Sequence, residues 1–236
     1  MIQYLSLLFI SIPFQFIYLF KIKLTDPYLI RKIIKGTPIV LNILFVFLQS
    51  STHLENMIGF GLICSVIGDT VIEFDSFIKF ALGIVSFLSA HIFNAIGFFS
   101  NSFHSNFDNS LKTDFDFILK ISISCLFGIV LLIFMIHKIK SFHLNKMITI
   151  ACCVYVSFIL LGFISSFVFV LFNEEYSLMF KMICFIGYVN FVISDYILFF
   201  NVFDKTTHVR TIICMGTYYC AQELLALGVV LCIHYN

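Results

Sequence analysis

Long apolar runs, separated by short polar breaks, fill the 236 residues from end to end. Runs near the ~20 residues that a helix needs to cross a bilayer predict eight spans. They fall at about 2–20, 36–52, 57–73, 78–99, 117–137, 146–171, 179–201 and 208–233. The second is short and carries Pro38 close to its start, where a first helical turn tolerates proline. The first lacks a basic leading segment and an A-x-A-like cleavage site, so it is expected to be retained. No loop is long enough for a separate domain, and Ser100 to Ser110 is expected as an exposed connection. The fold class that follows is all-α, a polytopic bundle of about eight transmembrane helices in one domain over residues 1–236.

Composition agrees with that pattern. The chain is 61% hydrophobic and 11% charged, against about 25% charged for a soluble domain. Eleven of the 14 Lys and Arg residues fall in the loops that follow odd-numbered spans. Only Lys112, Lys120 and Lys181 lie at the other face. The positive-inside rule then puts the odd loops in the cytosol and both termini outside it. No basic stripe or RNA-binding motif appears, so a nucleic-acid partner is not expected.

Two aspartates interrupt the apolar runs in matching frames. Gly61 to Phe74 aligns without a gap on Gly187 to Phe200, which pairs Val66 with Val192, Ile67 with Ile193 and Asp69 with Asp195. A carboxylate at bilayer depth costs about 2.5–3.5 kcal/mol on insertion scales, so each is a functional candidate. Spans 3 and 7 run in the same direction, and the halves read as two parallel four-helix repeats with a site at their interface. Two aspartates in a poorly hydrated site are expected to hold one shared proton between them.

Other polar groups lie on neighbouring spans. His91 and Asn94 sit on span 4, and Asn190 precedes Asp195 by five residues. Thr217, Tyr218, Tyr219, Gln222 and Glu223 crowd the first half of span 8, with Tyr218 and Gln222 four apart on one face. Lys35, at the start of span 2, is suited to neutralise a phosphate or an aspartate. The eight cysteines all fall inside spans and show no C-x-x-C spacing, so they are expected as small buried groups. Gly59, Gly61, Gly83 and Gly187 are expected where helices pack closely. The motifs H-E-x-x-H and G-x-S-x-G and the phosphate-binding P-loop are absent, and no cofactor or metal site is expected.

Several short motifs in order resemble the lysoplasmalogenase family of YhhN-like integral membrane proteins. They are Gly68-Asp69, Gly83-x3-Phe87-x3-His91, Gly187-x3-Phe191-x2-Ser194-Asp195 and Thr217-Tyr218-Tyr219-x2-Gln222. Lys35 with Pro38, and Tyr155 in span 6, are similar to further family positions. Asn94 departs from the pattern, standing where an aromatic is expected. The resemblance implies hydrolysis of the sn-1 vinyl-ether bond of lysoplasmalogens, to a fatty aldehyde plus glycerophosphoethanolamine or glycerophosphocholine. It makes Asp69 and Asp195 the catalytic pair, with Asp195 the expected acid. Lys35, His91, Tyr155, Tyr218 and Gln222 would bind or orient the substrate. The implied partners are the lysoplasmalogen and membrane lipids, in the endoplasmic reticulum membrane, with a homodimer left open.

Two other classes use the same kind of residues. An intramembrane aspartyl protease also needs two transmembrane aspartates, but Val66 stands where its G-x-G-D signature requires glycine. A proton-coupled transporter would suit the repeat and its carboxylates equally well.

Overall fold

A computed structural model of the protein describes residues 2–21, 28–72, 76–102, 114–204 and 206–235. Among them are eight helices and no strand. They are α1 (Ile2–Phe20), α2 (Tyr28–Gln49), α3 (His53–Val71), α4 (Phe77–Ser102), α5 (Asp114–Ser141), α6 (Lys146–Phe172), α7 (Leu178–Phe203) and α8 (His208–Tyr235). Each coincides with one expected span. The residues 103–110 of the expected loop, and Lys23, Glu73, Asp75, Lys112 and Lys205, lie outside the described residues. Ser100 to Ser102, expected in that loop, complete the last turn of α4.

The ends of the helices differ from the hydropathy pattern for local reasons. α2 begins at Tyr28 rather than near 36, so Pro38 lies inside the helix and not in its first turn. Its leading segment carries Arg31 and Lys32, which hides a helix that extends past the apolar run. α3 starts at a capping box: the Thr52 hydroxyl accepts from the Glu55 N–H, and the Glu55 carboxylate accepts from the Thr52 N–H at 2.9 Å. Asn145 caps α6 by accepting from the Ile148 N–H at 2.9 Å, and Ser177 caps α7.

Helix pairing reproduces the duplication seen in the sequence. In the first half α1 packs on α2, α2 on α3 and α3 on α4. In the second half α5 packs on α6, α6 on α7 and α7 on α8. Between halves, α4 packs on α6 as α8 packs on α2, the exchange that a two-fold relation requires. Close approach is provided by small residues, the usual device where lipid removes the hydrophobic drive between helices. A Cβ on Gly83 would lie 2.6 Å from Ile72 Cβ, and one on Gly61 would lie 2.7 Å from Asn94 Oδ1. Outward faces are apolar, with Leu48, Ile78 and Met147 at 81%, 70% and 80% exposure. Six of the helices are long and apolar enough to cross a membrane on the described residues. The chain is an integral, multi-pass membrane protein.

Candidate active site

Asp69 sits in the last turn of α3, where the helix meets α2 and α8. Lys35 Nζ lies 2.5 Å from Asp69 Oδ1, and the Tyr218 hydroxyl donates to Asp69 Oδ2 at 2.8 Å. The Lys35 side chain keeps 17% exposure while that of Asp69 keeps 3%, so the cation is the more exposed member of the pair and the anion the more buried. Two further bonds fix this corner. The Tyr219 hydroxyl donates to the Lys35 carbonyl at 3.1 Å, and Lys32 donates to the Thr70 carbonyl. Lys32 and Lys35 are three apart on α2 and so meet α3 from one face.

Asp195 lies about two turns before the end of α7. His91 Nε2 is 3.0 Å from Asp195 Oδ2, and His91 Nδ1 is 2.7 Å from the Tyr188 hydroxyl. Tyr155, from α6, lies close enough to interact with the same carboxyl group. The imidazole is enclosed by edge-on rings of Tyr155, Tyr188 and Phe191, with centroids 6.0, 5.8 and 5.7 Å away. Beside Asp195, the Ser194 hydroxyl donates to the Cys214 carbonyl at 3.0 Å and ties α7 to α8.

Aromatic rings connect the two carboxyl groups. Phe87 and Phe191 both pack edge-on against the Tyr218 ring, at 6.3 and 5.9 Å. No hydrogen bond joins Asp69 to Asp195. Each carboxyl group has its own partners instead, Lys35 and Tyr218 at Asp69 and His91 at Asp195. One carboxyl group lies beside a lysine and the other beside an imidazole.

The residues singled out in the sequence are largely brought together, with some exceptions. Lys35, Asp69 and Tyr218 form one cluster, and His91, Tyr155 and Asp195 the other. Gln222 is 1% exposed and sits beside the Tyr218 hydroxyl, yet neither amide atom meets hydrogen-bond geometry with a neighbour. Thr217 and Asn190 turn back to their own helices, donating to the Ile213 and Ile186 carbonyls. Glu223 faces α1, where Ser11 and Gln15 donate to its Oε1 at 2.9 and 2.6 Å. Among the described cysteines only Cys184 and Cys214 are buried, while Cys125 and Cys220 face outward. Sequence reading missed Tyr188. The signal was present: 188, 191 and 195 follow the i, i+3, i+7 spacing of one helical face. Among the described residues, no three His, Cys, Asp or Glu side chains converge as a metal site.

These features define a helical membrane protein with a buried cluster of ionisable residues drawn from both halves of a duplicated bundle. Residues 30–229 match the family model described as the YhhN family, which covers most of the chain. The chain belongs to the YhhN family, which includes lysoplasmalogenases, and it is a lysoplasmalogenase-like membrane protein at that level. No curated protein and no solved structure matches it.

Proposed function

We propose that the protein hydrolyses the sn-1 vinyl-ether bond of a lysoplasmalogen. The products are a fatty aldehyde and glycerophosphoethanolamine or glycerophosphocholine. The observation that carries this reading is the unlike pairing of two intramembrane carboxyl groups, Asp69 with Lys35 and Asp195 with His91.

Vinyl-ether hydrolysis needs a proton first and a water second. In the proposed sequence the Asp195 carboxyl gives its proton to the β-carbon. The alkene π pair forms the new C–H bond, and positive charge moves to the carbon that bears oxygen. Glycosidases meet a similar oxocarbenium ion with one acidic and one ionised carboxyl group. Here the ionised partner is Asp69. Water adds to the cationic carbon and its proton passes to a site carboxylate. The hemiacetal then loses its hydroxyl proton as the aldehyde C=O forms, the C–O bond to glycerol breaks, and the glycerol oxygen takes up a proton from the site, which leaves Asp195 protonated and Asp69 ionised. One water is consumed and no redox partner is needed.

The remaining residues position the lipid. Lys35, at the more exposed side of the cluster, would meet the phosphate of the head group, and Tyr218 and Gln222 would orient substrate or water. The alkenyl chain would lie between apolar helix faces. The basic, cytosolic end of the bundle would then hold the head group, in the endoplasmic reticulum membrane by family analogy.

Purified protein presented with a lysoplasmalogen tests the reading. Aldehyde release that is lost in Asp195→Asn supports it. A well-folded preparation that releases none overturns it. Peptide cleavage, or proton-coupled flux without turnover, would put a protease or a transporter in its place.

A further inference from the structure

Tyr188 has no assigned role, yet its side chain is fully buried and its hydroxyl is held in one place. It rests against the backbone of Gly162 on α6. A Cβ at Gly162 would fall 1.7 Å from the hydroxyl oxygen and 2.3 Å from Cζ, so only glycine leaves room for this phenol. From there the hydroxyl reaches His91 Nδ1 at 2.7 Å. Among the described residues, His91 Nδ1 is the one hydrogen-bond partner of that hydroxyl. A buried O–H must find an acceptor, or the cost of its desolvation goes uncompensated. Nδ1 is therefore the acceptor, and it is the bare nitrogen of the neutral ring.

The consequence runs across the imidazole to Asp195. With Nδ1 bare, the ring proton sits on Nε2 and donates to Asp195 Oδ2, 3.0 Å away. When Asp195 is protonated, Oδ2 is then its carbonyl oxygen and the acidic proton resides on Oδ1. When that proton has left, the same Nε2–H stabilises the carboxylate. We infer that Tyr188 is a positioning residue, seated by Gly162, that locks His91 as the Nε2–H tautomer and so places the acid proton of Asp195 on Oδ1. The orienting third group of a triad works by the same logic.

The consequence for turnover rests on the hydrolase reading, but the tautomer does not, so the two can fail separately. The experiment uses the full-length protein in detergent with 15N-labelled histidine, and His91→Gln identifies the His91 signals. Neutral His91 in the parent is expected to carry its proton on Nε2. In Tyr188→Phe, which keeps the ring and loses the hydroxyl, a substantial Nδ1–H fraction is expected. Gly162→Ala should produce the same change by displacing the phenol. In the aldehyde assay, Tyr188→Phe should lower kcat by at least about tenfold, a part of the 10²–10⁴ that acid–base help supplies. KM should stay within about twofold, and the pH–rate profile should shift. A parent His91 protonated on Nδ1, or a tautomer ratio unchanged in Tyr188→Phe, would overturn the inference. A parent that releases no aldehyde would sink the hydrolase reading and leave the tautomer result standing.

Discussion

His91 Nε2 lies 3.0 Å from Asp195 Oδ2, so the fourth helix of one half supplies the partner for an aspartate on the third helix of the other. The mirror contact is Tyr218 on α8 with Asp69 on α3, at 2.8 Å. Aligning Asp69 with Asp195 places His91 opposite Thr217, one residue from Tyr218. The duplication therefore extends to the contacts, while the side chains that make them have diverged. That divergence gives one carboxyl group a phenol and the other an imidazole, and Lys35 on α2 adds a cation at Asp69.

Replacing either aspartate tests that division most directly. Asp69→Asn and Asp195→Asn should each lower aldehyde release by at least about 100-fold, given the 10²–10⁴ typical of acid–base help. Both variants should still express, because the amide keeps the volume of the carboxyl. Activity within about tenfold of the parent in either would count heavily against the paired mechanism.

Lys35 should matter for stability as well as for turnover. Lys35→Met removes the cation that pairs with Asp69. Breaking a buried ion pair from one side costs about 3–5 kcal/mol, and the 17% exposure of Lys35 points to the lower end. Adding Asp69→Leu to Lys35→Met should recover most of the lost thermal stability without recovering activity. A single Lys35→Met protein that melts with the parent would show that the pair contributes little.

Glu223 gives a separate test, because its bonds to Ser11 and Gln15 attach α1, which lies outside the matched residues 30–229. Interhelical hydrogen bonds in membranes average about 0.6 kcal/mol each, so Glu223→Leu should weaken this attachment by roughly 1 kcal/mol. Backbone hydrogen exchange in α1 should rise while α7 stays protected. Equal protection of α1 in parent and variant would mean that its apolar packing alone holds it.

The fold was legible because apolar runs of bilayer length admit few alternatives to a helix. The charged start of α2 was not, since Arg31 and Lys32 mask a helix that continues beyond the apolar stretch. Asp69, Asp195 and His91 stood out as costly residues in apolar runs. Tyr188 did not, because a tyrosine in a span costs little, and its role depends on Gly162 of another helix. Which carboxyl meets which partner was also hidden. Tyr218 and Asp69 are separated by 149 residues, a distance that local spacing cannot bridge.

Close packing near the site yields the last prediction. A methyl at Gly83 would meet Ile72 Cβ at 2.6 Å and the Ile72 backbone Cα at 2.9 Å, immediately after the turn that carries Asp69. Backbone cannot swing aside as a flexible side chain can, so α4 must move away from the end of α3. Overpacking of this kind typically costs about 1–3 kcal/mol. Gly83→Ala should therefore lower thermal stability and, by displacing Asp69 relative to Lys35 and Tyr218, reduce turnover. Gly36→Ala is the matched control, because among the described residues no atom beyond its chain neighbours and its own helix backbone lies within 4 Å of its Cβ position. That change should be neutral or stabilising by up to about 1 kcal/mol through helix propensity. Thermal melts of the two variants beside the parent decide the point, and equal melting of Gly83→Ala and Gly36→Ala would refute the packing argument.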